Sequence, residues 1–285
     1  MLSQSEFTSN TIILDEVCPI HDVNLIQLDR VVKIAGEDIP RKPSPFCPEC
    51  AKEGILRQER NITEKQLNND LYQKTYRVFK RDSTIPDELK EANFDNFIAT
   101  TSEEKQLLSF AEEQVKKYLN GMKGNTLITG STGIGKSHLS VAIAKTLNES
   151  FKDKGEPKSV LFVSFTEIIK RIKEGWNYGK NATLSEFKAV ELLGKVDILI
   201  LDDLGSKNSV IKPKSDWEQD LLFDVLNRRE ITIINTNLSS LELKTVFNER
   251  NYSRILKGLE GNSFKSFTIK DKRYSINNLK KIKEK

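Results

Sequence analysis

The sequence predicts an α/β protein in which a parallel sheet is flanked by helices. Three observations indicate this class. A glycine-rich segment at residues 130–137 lies between a short apolar run and a helix-like run. Apolar strands then alternate with helical patterns through the second half of the chain. Each strand is apolar throughout, which is typical of a parallel sheet that is covered on both faces.

The first 50 residues contain all three cysteines and one of the two histidines of the chain. They are ordered as Cys18-x-x-His21, 25 further residues, and Cys47-x-x-Cys50. Four sulfur and nitrogen donors at this spacing suit tetrahedral Zn²⁺, and a closed set of four protein ligands is structural rather than catalytic. We therefore expect a small zinc-binding domain over residues 1–55, stabilised by the ion because so short a segment buries little surface. The alternative is that these are ordinary buried or solvated side chains.

A polar, helix-favouring segment comes next and is predicted to form a helical linker over residues 56–91, with Thr63 and Gln66 spaced as a capping box. The third predicted domain covers residues 92–285. It begins with a helix at about residues 102–120, which follows the capping pair Thr101 and Glu104. Strands are then predicted at 126–129, 160–165, 196–201 and 231–235, and helices after Lys136, after Ser164, at about 184–193 and at 217–228.

The glycine-rich segment matches the phosphate-loop pattern G-x-x-x-x-G-K-[ST] in full. Its glycines allow successive backbone amides to surround phosphate groups, and the helix that follows presents its positive end to them. Lys136 is expected to contact the phosphates and Ser137 to bind Mg²⁺. The predicted nucleotide-binding residues are Gly130, Ser131, Thr132, Gly133, Ile134, Gly135, Lys136, Ser137 and the adjoining His138.

Polar residues follow two of the later strands. An apolar strand ends in Asp202 and Asp203, which we expect to bind Mg²⁺ and to orient or deprotonate the attacking water, respectively. The next strand ends near Asn237, whose side chain could contact the γ-phosphate or the water. Asn237 could instead cap the helix that begins with the capping pair Ser239 and Glu242.

Composition bounds the class of protein. The net charge is +4 and charged residues make up 30% of the chain, which is compatible with nucleic-acid contact but does not require it. No apolar stretch approaches the roughly 20 residues that span a bilayer, and the N-terminus does not resemble a secretory leader. We expect a cytoplasmic protein without a membrane partner.

Four motifs together resemble the DnaC/DnaI group of replicative helicase loaders, a branch of the AAA+ ATPases close to the DnaA initiators. They are Gly-Ser-Thr-Gly-Ile-Gly-Lys-Ser-His-Leu, Leu-Asp-Asp-Leu-Gly, Ile-Asn-Thr-Asn-Leu-Ser and Glu-Arg-x-x-Ser-Arg-Ile, in that order. The resemblance covers about residues 83–275. It implies an AAA+ core that binds ATP, hydrolyses it slowly when alone and faster with DNA or a partner, and assembles into a homo-oligomer when ATP binds.

The resemblance also implies roles for individual residues. Asn237 would be sensor 1, Arg254 the arginine finger acting on a neighbouring subunit, and Arg273 sensor 2. Arg250 shares a helix face with Arg254 and is the other candidate finger, although spacing alone equally allows two solvated arginines. Where many AAA+ enzymes carry glutamate, this chain has Asp203.

Partners are implied in the same way: a replicative helicase hexamer, gripped by the zinc domain, and single-stranded DNA. The segment 165–187 mixes cations with aromatic residues, which is compatible with stacking on bases, although Trp176 and Tyr178 could equally pack inside the protein. Its cations are Lys170, Arg171, Lys173 and Lys180.

The alternative function is that of an IstB-like ATPase, which shares the core but assists a transposase.

Overall fold

The computed structural model describes residues 11–31, 40–178, 184–205 and 211–272 of the 285-residue chain. The chain divides into two compact units, Met1–Asp70 and Leu71–Lys285. Within the described ranges, none of the helices combines the length and the apolar character needed to cross a bilayer.

The first unit contains an antiparallel hairpin and most of a long helix. Strands β1 (Thr11–Val17) and β2 (Asn24–Leu28) pair with Ile13 opposite Ile26, and a register shift lies between Ile13 and Val17. Helix α1 (Pro48–Lys74) begins inside the Cys47-x-x-Cys50 motif. The predicted capping box at Thr63 is therefore wrong, because the Thr63 hydroxyl lies in mid-helix and donates to the Glu59 carbonyl. The hairpin was not predicted.

The second unit alternates strands and helices as predicted. Its helices are α2 (Tyr76–Asp82), α3 (Ser102–Leu119), α4 (Lys136–Asp153), α5 (Phe165–Tyr178), α6 (Glu186–Lys195), α7 (Asp216–Asn227), α8 (Ser240–Val246) and α9 (Glu249–Ile255). Its strands are β3 (Thr126–Gly130), β4 (Val160–Ser164), β5 (Ile198–Asp202), β6 (Thr232–Thr236) and β7 (Ser263–Ser266). The capping boxes predicted for α3 and α8 are both confirmed.

The five strands form one parallel sheet in the order β4-β5-β6-β3-β7. Strand β3, which leads into the phosphate loop, lies between β6 and the edge strand β7. Strand β5 lies on the other side of β6, so the carboxyl ends of β3, β5 and β6 lie side by side at one edge of the sheet. This edge carries the predicted nucleotide site.

Alternate residues of each strand enter two separate cores, as expected for a sheet that is covered on both faces. Leu199 and Leu201 of β5 belong to one core with helices α5 to α9, whereas Ile198 and Ile200 belong to the other with α3 and α4. The result is a three-layered α/β fold, a parallel sheet between two layers of helices with a P-loop after β3, in agreement with the predicted class.

Candidate functional site

The phosphate loop joins β3 to α4 through two glycines in the left-handed region. Gly133 has φ 79° and Gly135 has φ 99°, values that side-chain-bearing residues rarely adopt. Gly135 is the N-cap residue of α4, so Lys136 and Ser137 occupy its first turn. The backbone amides of the loop and the positive end of α4 are therefore available to one anionic ligand.

The Lys136 side chain is buried at 6% exposure and connects the loop to the tip of β6. Its ammonium donates to the carbonyls of Gly130 (2.7 Å) and Ser131 (2.8 Å) and to Oδ1 of Asn237 (2.5 Å). The structure thus brings the predicted Lys136 and Asn237 into direct contact, although they are far apart in sequence.

Asp202 is the last residue of β5 and is 5% exposed. Burial and the neighbouring Asp203 raise the pKa of its carboxyl, while hydrogen bonds from Asn235 and Ser137 and the charge of Lys136 act in the opposite direction. Asp203 follows with φ 56°, in the left-handed region, where the chain leaves the strand. The hydrogen bond from Ser137 brings Ser137 and Asp202 into contact, as expected of two residues that share an Mg²⁺ ion.

Sequence reasoning missed Asn235, whose Nδ2 donates to Oδ1 of Asp202 at 2.7 Å. A signal was present, because Asn235 is a polar residue directly after two isoleucines of β6 and lies two residues before Asn237.

A cavity of about 580 Å³ opens beside the loop. Its polar wall includes Thr132, Lys136, Ser137, Asp202, Asp203 and Asn237. Its apolar wall is contributed by the segment before the core, through Pro86, Leu89, Phe97 and Ile98. A cavity that combines phosphate-binding groups with an apolar wall suits a nucleotide, because the base and the phosphates require different surroundings.

Phe97 and His138 form one side of this cavity. The ring of Phe97 lies so close to Gly135 that a Cβ there would come within 2.5 Å of it. The rings of Phe97 and His138 meet edge-on with centroids 5.4 Å apart, and His138 Nε2 lies 2.9 Å from the Asn93 carbonyl oxygen. Burial lowers the pKa of His138, so its imidazole is neutral at neutral pH.

The C-terminal end of the described chain also reaches the site. Lys272 lines the cavity, its amide donates to the Gly133 carbonyl at 3.0 Å, and its ammonium lies 3.4 Å from a carboxylate oxygen of Glu104. Arg273, the residue implied as sensor 2, lies outside the described residues.

The two candidate arginine fingers lie elsewhere on the second unit. Arg250 and Arg254 share one face of α9, and their guanidinium carbons lie 3.8 Å and 5.8 Å from the centroid of the Phe223 ring on α7. Neither arginine is among the residues that line the cavity.

The segment 165–187, which is predicted to contact DNA, begins with α5 and ends in the first turn of α6, and its residues 179–183 lie outside the described ranges. Trp176 is 58% exposed and meets Trp217 edge-on at 4.9 Å. Two cations of the helix are paired with acidic side chains, since Lys170 lies 3.8 Å from Glu174 and Lys173 lies 3.0 Å from Glu218. Lys180 and the side chain of Tyr178 lie outside the described part of the molecule.

The four predicted zinc ligands meet in the first unit, with their ligand atoms all within 4.8 Å of one another. Nδ1 of His21 lies 3.9 Å, 3.7 Å and 3.3 Å from the sulfurs of Cys18, Cys47 and Cys50, respectively, and the sulfurs of Cys18 and Cys50 are 3.8 Å apart. A tetrahedral ion with Zn–S bonds of about 2.3 Å requires ligand atoms about 3.8 Å apart. The donor set therefore fits Zn²⁺.

Charge in this cluster also favours a cation. Backbone amides of Ile20 and His21 hold the pKa of the Cys18 thiol at about 6, which favours the thiolate. Hydrogen bonds to Cys18 and Glu53 raise the pKa of His21 to about 9, so His21 must release a proton when Nδ1 binds Zn²⁺.

The sequence model of the IstB-like ATP binding protein family matches residues 61–259, which is well over half of the chain. No curated protein matches the sequence.

Among solved structures, the DnaC helicase loader has a TM-score of 0.46 and 21% identity over 63% of this chain and 98% of that chain. A DnaI crystal structure has a TM-score of 0.46 and 22% identity over 66% and 93% of the two chains. AMPPCP-bound DnaA from Aquifex aeolicus has a TM-score of 0.48 and 22% identity over 71% and 57%.

Proposed function

The chain belongs to the IstB-like ATP binding protein family, and on that premise we propose that it is an ATP-dependent loader of a replicative helicase onto single-stranded DNA. The observation that carries this proposal is the Cys18–His21–Cys47–Cys50 cluster in a unit of its own ahead of the ATPase. A closed metal-binding module has no place in ATP hydrolysis, so its use is to fold a surface that binds another protein.

The ATPase site would work as follows. Amides of the phosphate loop and Lys136 bind the β- and γ-phosphates, while Asn237 contacts the γ-phosphate or the water. Asp203 orients the water and accepts its proton as the oxygen attacks the γ-phosphorus and the bond to the β-phosphate oxygen breaks, giving ADP and phosphate. An Mg²⁺ ion held by Ser137 and Asp202 would neutralise charge on the phosphates.

Assembly would complete this site. Because Arg250 and Arg254 do not line their own cavity, we propose that ATP binding brings α9 of one subunit to the cavity of its neighbour. The isolated chain would then hydrolyse ATP slowly, and a partner or DNA that promotes assembly would accelerate it. Lys272 lines the cavity and is a further cation available to the phosphates, while Arg273 stays the residue that the resemblance implies as sensor 2.

DNA contact is proposed at α5. The exposed Trp176, supported edge-on by Trp217, offers a flat surface on which a base can stack. Because Lys170 and Lys173 are paired with carboxylates, the aromatic surface supports this proposal more than the helix charge does.

The test is capture of the replicative helicase of the same cell by the full-length protein and by its Cys47→Ser variant. We expect the wild type to capture the helicase and the variant, with its metal module disrupted, to lose capture while it still binds ATP. The matched control is Ser44→Ala, which alters the same segment at an exposed position without removing a ligand. Equal capture by Cys47→Ser and the wild type, with zinc content reduced, would show that the metal module does not bind the helicase.

The alternative is that the chain assists a transposase, and the match to the IstB-like family favours it. The same capture experiment separates the two functions if the transposase encoded nearest to this gene is offered alongside the helicase. Capture of the transposase but not of the helicase would show that the loader proposal is wrong and would support the transposase function.

A further inference from the structure

We propose that Asn235 is a positioning residue of the ATPase site, which holds the Asp202 carboxylate in the orientation that binds Mg²⁺. This inference rests on ATP binding and is independent of which partner the ATPase serves.

The contacts of Asn235 are fully buried and well defined. Its side chain is 0% exposed, and Nδ2 donates to Oδ1 of Asp202 at 2.7 Å. An ionised carboxylate only accepts hydrogen bonds, so the amide nitrogen rather than the amide oxygen must face Asp202. The chemistry of the pair therefore determines the orientation of the Asn235 amide.

The same amide group also reaches the helix that follows the phosphate loop. The Ser140 hydroxyl on α4 lies 2.9 Å from Nδ2 and 3.1 Å from Oδ1 of Asn235. Ser140 is one turn beyond Lys136 on the same helix and is itself 0% exposed. Asn235 thus connects the carboxylate at the end of β5 to the helix that carries both Lys136 and Ser137.

The backbone of Asn235 also supports the residues that follow β5. Its carbonyl accepts a hydrogen bond of 2.9 Å from the amide of Leu204, which follows Asp202 and Asp203. Side chain and backbone of one residue therefore both support the chain where β5 ends. This arrangement limits the rotation of Asp202 about its side-chain bonds.

Asn235, inside β6, and Asn237, directly after its end, have separate tasks. Asn237 accepts from Lys136 and lines the cavity, whereas Asn235 does not line the cavity and acts only through Asp202 and Ser140. Loss of Asn235 should therefore weaken the binding of Mg²⁺ and leave the structure of the phosphate loop unchanged.

The experiment measures binding of a fluorescent ATP analogue to full-length Asn235→Ala, with Mg²⁺ titrated and also in excess EDTA. Removing a residue that orients a metal ligand costs about 10- to 100-fold in metal affinity. We expect the half-saturating Mg²⁺ concentration to rise at least about tenfold, and binding in EDTA to stay within about twofold of wild type.

Two further variants make the result decisive. Asn251→Ala removes another fully buried asparagine, one bonded to Gln219 and remote from the site, and should leave the Mg²⁺ dependence unchanged. Ser140→Ala removes only the second hydrogen-bond partner of the Asn235 side chain, so it should shift the Mg²⁺ dependence in the same direction by a smaller factor.

The proposal is wrong if Asn235→Ala keeps the wild-type Mg²⁺ dependence, or if Asn235→Ala weakens nucleotide binding equally in EDTA. Should Asn235→Ala fail to fold, an unchanged Mg²⁺ dependence in Ser140→Ala overturns it.

Discussion

A single carboxylate determines how His21 can bind a metal ion. In the neutral imidazole that binds a metal, Nε2 of His21 donates to Oε1 of Glu53 at 3.2 Å, and the lone pair of Nδ1 faces the three sulfurs. Glu53 lies one turn of α1 beyond Cys50, so the helix that supplies a ligand also supplies its support. Such outer partners fix the tautomer and orientation of a histidine ligand.

We predict that Glu53→Gln weakens zinc binding by about tenfold, because the amide oxygen is a poorer acceptor for His21 than the carboxylate. The measurement is competition with a chromogenic chelator. The matched control is Glu49→Gln on the same helix, where Glu49 only pairs with Lys52 at 3.9 Å. Equal losses in the two variants would mean that helix charge, and not the contact with His21, determines the affinity.

Most site residues were predictable where a short sequence pattern determines the local structure. The phosphate loop and Asp202 follow buried strands, and the carboxyl ends of parallel strands meet at one sheet edge. Asn235, Phe97 and Lys272 were not predicted, because their roles depend on contacts with residues distant in sequence. Of these three residues, only Asn235 had a signal in the sequence, as a polar residue that directly follows apolar residues of a predicted strand.

At the scale of secondary-structure elements, one buried arginine joins the end of α6 to two strands. Arg229 donates to the carbonyls of Leu193 (2.7 Å), Val196 (2.6 Å), Asp197 (3.0 Å) and Ile231 (2.8 Å). Burial lowers the pKa of Arg229 to about 10, so the guanidinium remains charged at neutral pH. Four carbonyls from three segments, namely α6, the two residues before β5 and the residue before β6, thus depend on one side chain.

Arg229→Met is expected to lower the free energy of unfolding by about 3 kcal/mol, because it leaves buried carbonyls without donors. Urea unfolding followed by circular dichroism measures this change. Arg228→Met removes the adjacent exposed arginine and should change stability by no more than about 0.5 kcal/mol. A comparably small effect at Arg229 would show that water replaces its hydrogen bonds.

The elements that sequence reasoning missed are those with the weakest local signal. Strand β7 is four residues long, Ser-Phe-Lys-Ser, and only Ser266 is buried. It is a strand because it pairs with β3 at the sheet edge, for example Phe264 with Ile128. By contrast, the central strands were predicted to within a few residues, because burial on both faces makes them apolar throughout.

At the scale of the whole molecule, the ATPase presents its cavity and its α9 arginines at different places. Arg250 and Arg254 gather around the ring of Phe223, which orients both guanidinium groups without an acidic partner among the ion pairs of the described residues. A cation oriented in this way can complete the site of a neighbouring subunit. The distinction between a finger acting within one chain and one acting between chains is open to a direct test.

Arg254→Ala should bind ATP as the wild type does but lose about 10³-fold in stimulated turnover, because the missing guanidinium stabilises charge only in the transition state. Lys136→Ala, which lacks the phosphate-loop ammonium, should bind no ATP. Mixing these two inactive proteins should restore part of the turnover, since Lys136→Ala subunits still offer Arg254 to the intact cavities of their neighbours. Arg250→Ala is the matched variant on the same helix face and should lose less turnover than Arg254→Ala. Absence of recovery in the mixture, while both variants still co-assemble by analytical ultracentrifugation, would refute action between subunits.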